Sequence, residues 1–152
     1  MAFPYGKIMC PVDFTENSLV ALDRAAEIAR HFGAKLILVH AVPLVAQVGN
    51  FPMPASVYAE QEKTAKARLA EIAGQKLGDL GYESIVFIGD VVGGILQAAV
   101  QFKPDLLVMA THGRGAVAHF FLGSVAEAVV RKAECPVLTV RNPGPASHSA
   151  KG

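Results

Sequence analysis

Five short apolar runs alternate with longer stretches whose apolar residues recur at helical spacing, and this alternation narrows the possible folds most. The runs are KIMCPV (7–12), KLILVHAV (35–42), YESIVFI (82–88), LLVM (106–109) and PVLTV (136–140). Short apolar runs bounded by Gly, Pro or polar residues read as strands buried on both faces, as in a parallel sheet. Between them, helical spacing is carried by Leu19, Leu22, Ala26 and Ala29, and then by Leu69, Ile72, Ala73 and Leu77. Ile95, Leu96, Ala99 and Val100 carry it next, followed by Val125, Ala126, Val129 and Val130. The order βαβαβαβαβ predicts an α/β fold, a three-layer α/β/α sandwich on a five-stranded parallel sheet with right-handed crossovers. Several strand orders remain open on this ground alone. In the order 3-2-1-4-5, the first and fourth strands lie side by side and their carboxyl ends share one rim, where ligands of such sheets bind.

Local signals set the boundaries. Thr15 is the expected N-cap of the first helix, with Glu16 in its first turn and Gly33 at its C′ position. Residues 43–55 contain Pro43, Pro52 and Pro54 and read as a loop without regular structure. Ser56 is the expected cap of a second helix ending near Leu77, with Glu62 and Lys66 paired on its outer face. Gly89 to Gly94 reads as a turn feeding a third, short helix. Residues 1–141 form one expected domain, and 142–152 (NPGPASHSAKG) an expected mobile tail.

Composition excludes several function classes. The formal net charge is +1 without a Lys/Arg cluster, which argues against nucleic-acid binding. Cys10 and Cys135 stand far apart with no ligand at metal spacing, so neither zinc nor a disulfide framework is indicated. The N-terminal MAFPYGKIMCPVDF lacks a signal-peptide pattern, and no run reaches the roughly 18 apolar residues of a membrane span. The expectation is a cytoplasmic protein with no membrane insertion.

The chemistry concentrates between Asp105 and Ser124, DLLVMATHGRGAVAHFFLGS. A buried strand gives way to Ala110-Thr111-His112-Gly113, and helical periodicity resumes at Gly123-Ser124. A strand, a glycine-containing loop and a fresh helix N-terminus make an anion pocket. The first helical turn has unpaired N–H groups at the positive end of the dipole, and glycines let a phosphate approach the backbone. His112 reads as a loop histidine bonded to backbone, since no nucleophile with a base accompanies it. Phe120, Phe121 and Leu122 either pack under the loop or face a partner. Gly113-Arg114-Gly115-Ala116-Val117-Ala118 matches G-x-G-x-x-A, but Glu134 precedes the fifth strand rather than ending it, and helical periodicity returns only near Gly123. A hydride-transferring enzyme on this turn is therefore the weaker reading, and no G-x4-G-K-[ST] loop occurs.

These residues resemble the universal stress protein family over Lys7 to Arg141. The resemblance is carried by Ile8-Met9-Cys10-Pro11-Val12-Asp13-Phe14, by LVHAV in the second strand, and by THGR-x8-GSVAEAVVR followed by CPVLTV. The family signature is a glycine, two residues, a glycine, nine residues, then Gly-Ser or Gly-Thr. Gly113 and Gly123-Ser124 match its last two parts, and Ala110 replaces the first glycine. The resemblance implies strand order 3-2-1-4-5 and a homodimer, formed through the C-terminal edge strand. It also implies ATP or a related adenine nucleotide as ligand, with a regulatory or sensory role in stress survival. Pro11, Val12 and Asp13 would line the adenosine end, with Ala41 offering backbone to the base and Met109 and Ala110 lying against base and ribose. Gly113, Arg114, Gly123, Ser124 and Val125 would surround the phosphates.

Any accompanying Mg2+ or Mn2+ would be held mainly by those phosphates, as no carboxylate cluster stands ready. No general base is aimed at water, so the expectation is not an enzyme, with ATP hydrolysis slow at most. The alternative is a nucleotide-free dimeric adaptor of the same fold acting through protein partners.

Overall fold

The central strand is β1 (Lys7–Pro11), paired in parallel with β2 (Lys35–Val42) on one side and β6 (Leu106–Ala110) on the other. β5 (Tyr82–Ile88) extends the sheet beyond β2, and β7 (Val137–Val140) extends it beyond β6. All four pairings are parallel, and the order is β5-β2-β1-β6-β7. This computed structural model describes residues 3–44, 47–113 and 122–143. Counted within this sheet alone, the strands run third, second, first, fourth, fifth. The chain-order labels differ because a small antiparallel hairpin, β3 (Gln47–Val48) and β4 (Phe51–Pro52), intervenes. This short ladder replaces the loop without regular structure expected over residues 43–55. Its prolines do not forbid a two-residue ladder, because Pro52 sits at the end of an edge strand, where a missing N–H costs little.

Alternation along the strands divides the core into two halves. Ile8, Cys10, Leu36, Leu38, Leu106 and Val108 point to one face, where they meet α1 (Glu16–Phe32) and α2 (Ala55–Lys76). Met9, Ile37, Val39, Leu107 and Met109 point to the other, beneath α3 (Val91–Phe102) and α4 (Ser124–Lys132). Successive side chains on a strand face opposite ways, so an unbroken apolar run is what a sheet covered on both sides requires. The three-layer α/β/α sandwich follows. Thr15 caps α1 by accepting from the Ser18 N–H, and Gly33 ends the helix at φ 68°.

Three local expectations are corrected. The residue before α2 is Pro54, which offers no side-chain acceptor, and Ser56 lies inside the first turn instead of capping it. Gly93 and Gly94 belong to α3 rather than to a turn, because Asp90 accepts from the Gly93 N–H and starts the helix at Val91. Val100 is 67% exposed and does not face the core. Buried Ile95 and Ala98 define the inward stripe, and a position five residues after Ile95 is rotated well away from it. Asn142, assigned to the tail, donates to Asn17 Oδ1 at 2.9 Å. Residues 144–152 lie outside the described residues.

Candidate functional site

Connections from β1 run to β2 on one side, while β6 and β7 build out the other. The divergence opens a crevice beyond the carboxyl ends of the strands, the usual ligand position in open α/β sheets. A cavity of about 700 Å³ lies there, well within the range of small-molecule sites. Its floor is formed by the ends of β1 (Pro11, Val12), β2 (Ala41) and β6 (Met109, Ala110). Asp13, Gly113 and the start of α4 (Gly123, Ser124, Val125) complete that rim. Ten of the eleven residues named from the sequence thus border one space. The eleventh, Arg114, lies outside the described residues, as do Phe120 and Phe121.

Each rim residue is held by a specific contact. The Asp13 carboxylate accepts from the Thr15 N–H at 3.0 Å and from the Thr15 hydroxyl, while the Asp13 N–H donates to Ser18 Oγ at 3.2 Å. The other carboxylate oxygen lies against Gly113, where a Cβ would approach it to 3.0 Å. A glycine is what lets the β6 loop and the β1 rim come this close. Across the loop, Asn17 Nδ2 donates to the His112 carbonyl at 3.2 Å, tying α1 to the same segment. The stem of the loop closes through the Gly123 N–H, which donates to the Thr111 carbonyl at 2.8 Å.

The helix that follows, like α2, begins without a side-chain cap. α1 and α3 have side-chain caps, whereas α4 begins after Gly123, which has no side chain to offer. The first bond within α4 runs from the Glu127 N–H to the Gly123 carbonyl. The N–H groups of Ser124, Val125 and Ala126 therefore have no helical partner and stand at the positive end of the dipole, beside the cavity. Gly123 itself has φ −69° and ψ 164°, an extended conformation open to any residue. Ala110 is the last residue of β6, paired with Val140, and does not have a positive φ. The backbone there makes no demand for glycine.

The sequence reading missed one wall. Glu60, Gln61, Thr64 and Arg68 of α2 line the cavity, with Phe14 and His40 beside them. The available signal was helix length: α2 has 22 residues, but its buried ones are Ala65, Leu69 and Ala73, so its first turns overhang the sheet. His40 Nδ1 donates to the Val12 carbonyl at 2.7 Å, and its ring lies 4.5 Å from that of Phe14. The Arg68 guanidinium carbon sits 4.0 Å from the Phe14 ring centroid.

Neither cysteine is activated. Burial pushes the Cys10 thiol up to about 12, and burial likewise raises that of Cys135. Among the described residues, no group of three or more His, Cys, Asp or Glu could hold a metal ion. No helix among them is long and apolar enough to cross a membrane.

Residues 4–141 match the sequence model of the Universal stress protein family. The chain belongs to that family. A universal stress protein of Thermus aquaticus, from the QAH/OAS sulfhydrylase 3' region, is 35% identical over 135 residues, covering 88% of this chain and 97% of the relative. Among solved structures, the hypothetical protein MJ0577 aligns with a TM-score of 0.79 at 26% identity, over 93% of this chain and 99% of its own. A universal stress protein solved in complex with cAMP aligns with a TM-score of 0.60 at 31% identity, over 90% and 96% of the two chains.

Proposed function

We propose that this universal stress protein binds ATP or a related adenine nucleotide in the crevice beyond β1, β2 and β6. The observation that carries the reading is the uncapped first turn of α4 opening into a cavity that the family-matched residues border. Three N–H groups without helical partners, at the end of a helix dipole, favour a polyanion over water. Adenosine then runs along the apolar floor toward Ala41 and Asp13, and the phosphates lie at Gly113 and Ser124–Val125. The relative solved with cAMP supports an adenine nucleotide as the ligand class.

Asp13 and Glu60 are the carboxylates among the described lining residues, and Asp13 is already engaged with Thr15. Mg2+ or Mn2+ would accordingly be held mainly by the phosphates. The protein acts as a cytoplasmic binder with a regulatory or sensory role in stress survival, and any ATP hydrolysis is slow. It works as a homodimer through β7, an edge strand with Leu138 exposed.

Calorimetric titration of the wild type and Gly123→Val tests the site. The extended backbone at position 123 puts no conformational strain on valine, and the branched side chain crowds the anion position. Wild type should bind ATP and the variant should not, with matching melting curves. Equal affinity in both would contradict the assignment. A wild-type dimer that ignores ATP would favour the adaptor reading.

A further inference from the structure

We propose that Arg68 is a specificity-determining residue at the base end of the cavity, its guanidinium offering a stacking surface to the purine of the bound nucleotide. This rests on the nucleotide reading above. The side chain comes from α2, two turns before the helix ends, and reaches over the Phe14 ring at 4.0 Å. That ring in turn touches His40 of β2, which is held by its bond to the Val12 carbonyl. Arg68 therefore stands over β1 and β2. The uncapped turn of α4 follows β6, on the opposite side of β1. Strands lie about 4.8 Å apart, so β2 and β6 are separated by roughly 10 Å. The guanidinium therefore lies toward β2, away from the first turn of α4 that the proposed function gives to the phosphates.

Its surroundings show what it is free to do. Arg24 and Arg131 pair with glutamates on their own helices, and Arg30 donates to the Lys76 carbonyl. Among the described residues no carboxylate pairs with Arg68, and its guanidinium lies over the Phe14 ring. A planar, delocalised cation laid on an aromatic face is already oriented, and it stacks on a second π-system where an ammonium does not. It lines the same cavity as Ala41 and Met109, against which a base would lie. The bland reading is that the long stem simply covers the apolar face of Phe14. That reading predicts no effect on ligand affinity once the coverage is kept.

The test uses Arg68→Met, which keeps the coverage, and Arg68→Lys, which keeps the charge but not the plane. Affinities for ATP, adenosine and inorganic tripolyphosphate would be measured by calorimetry or by competition, alongside melting midpoints. The proposal predicts that both variants melt like the wild type and lose about tenfold in affinity for ATP and adenosine alike, with tripolyphosphate binding unchanged. Wild-type affinity for adenosine in Arg68→Met would overturn it in favour of simple coverage. Full retention in Arg68→Lys would overturn it in favour of charge alone. A loss confined to ATP and tripolyphosphate would move Arg68 to the phosphates and overturn it as well. Failure of the wild-type protein to bind ATP would instead sink the nucleotide reading, and this inference with it.

Discussion

At Gly113 a single methyl group would come within 3.0 Å of the Asp13 carboxylate, closer than most such contacts tolerate. The same carboxylate holds the Thr15 N–H, so displacing it disturbs the cap of α1 along with the rim. Gly113→Ala should therefore weaken ATP binding and lower stability by about 1 kcal/mol, the usual worth of a cap. A titration paired with chemical denaturation reads both, and an unaltered affinity would show that the close approach is incidental. Ala110 behaves otherwise. Because it ends an extended strand, Ala110→Gly should leave ATP affinity unchanged and cost about 0.5–1 kcal/mol in the strand. Tighter binding would mean that the methyl group does obstruct the ligand.

Cys10 gives a pH prediction of definite sign. Its thiol is raised by burial from an ordinary 9.0 to about 12. Between those values the unfolded chain releases the thiol proton while the folded one retains it. Stability should then fall as pH rises, by about 1.4 kcal/mol per pH unit from this group, and remain unaffected by it below pH 9. Cys10→Ala should remove that component of the alkaline slope, which denaturation at several pH values would detect; an identical slope would refute it.

Among elements, α3 packs closely against β5 at one position. A Cβ on Gly94 would fall 1.8 Å from Phe87 Cε2 of β5, so that ring must leave its place for any larger residue to be accommodated. Alanine is favoured over glycine inside a helix by up to about 1 kcal/mol, but overpacking costs about 1–3 kcal/mol. Gly94→Ala should destabilise the protein on balance, and Phe87→Ala in the same chain should relieve part of that loss. Additive losses in the double mutant would mean that the two positions do not press on each other. This contact also shows where sequence reading stops. The glycine pair looked like a turn because glycine is the commonest turn residue, and nothing local says that an aromatic ring from the neighbouring strand needs the space. Helix starts marked by polar caps, such as Thr15, were legible, as were strands of unbroken apolar character. The start of α2 was not, since it depends on Pro54 and a two-residue hairpin. The α2 wall of the cavity was hidden for a related reason: Gln61, Thr64 and Arg68 look like ordinary solvated positions until the helix is known to overhang the strand ends.

For the whole molecule, the doubly wound order brings segments from positions 11, 41, 110 and 123 to one crevice, and that crevice exists only because the sheet is assembled. The residues at strand ends could be read from the chain because apolar runs mark where strands stop. The family signature supplied the pairing of Gly113 with Gly123 and Ser124, which periodicity by itself left as an ordinary loop and helix start. The proposed function requires phosphate at the first turn of α4, and backbone amide NMR shifts report on that turn directly. Adding ATP should move the amide resonances of Ser124, Val125 and Ala126 strongly, and adenosine should move them far less. ATP binding that leaves those three amides where they were would contradict phosphate binding at this turn.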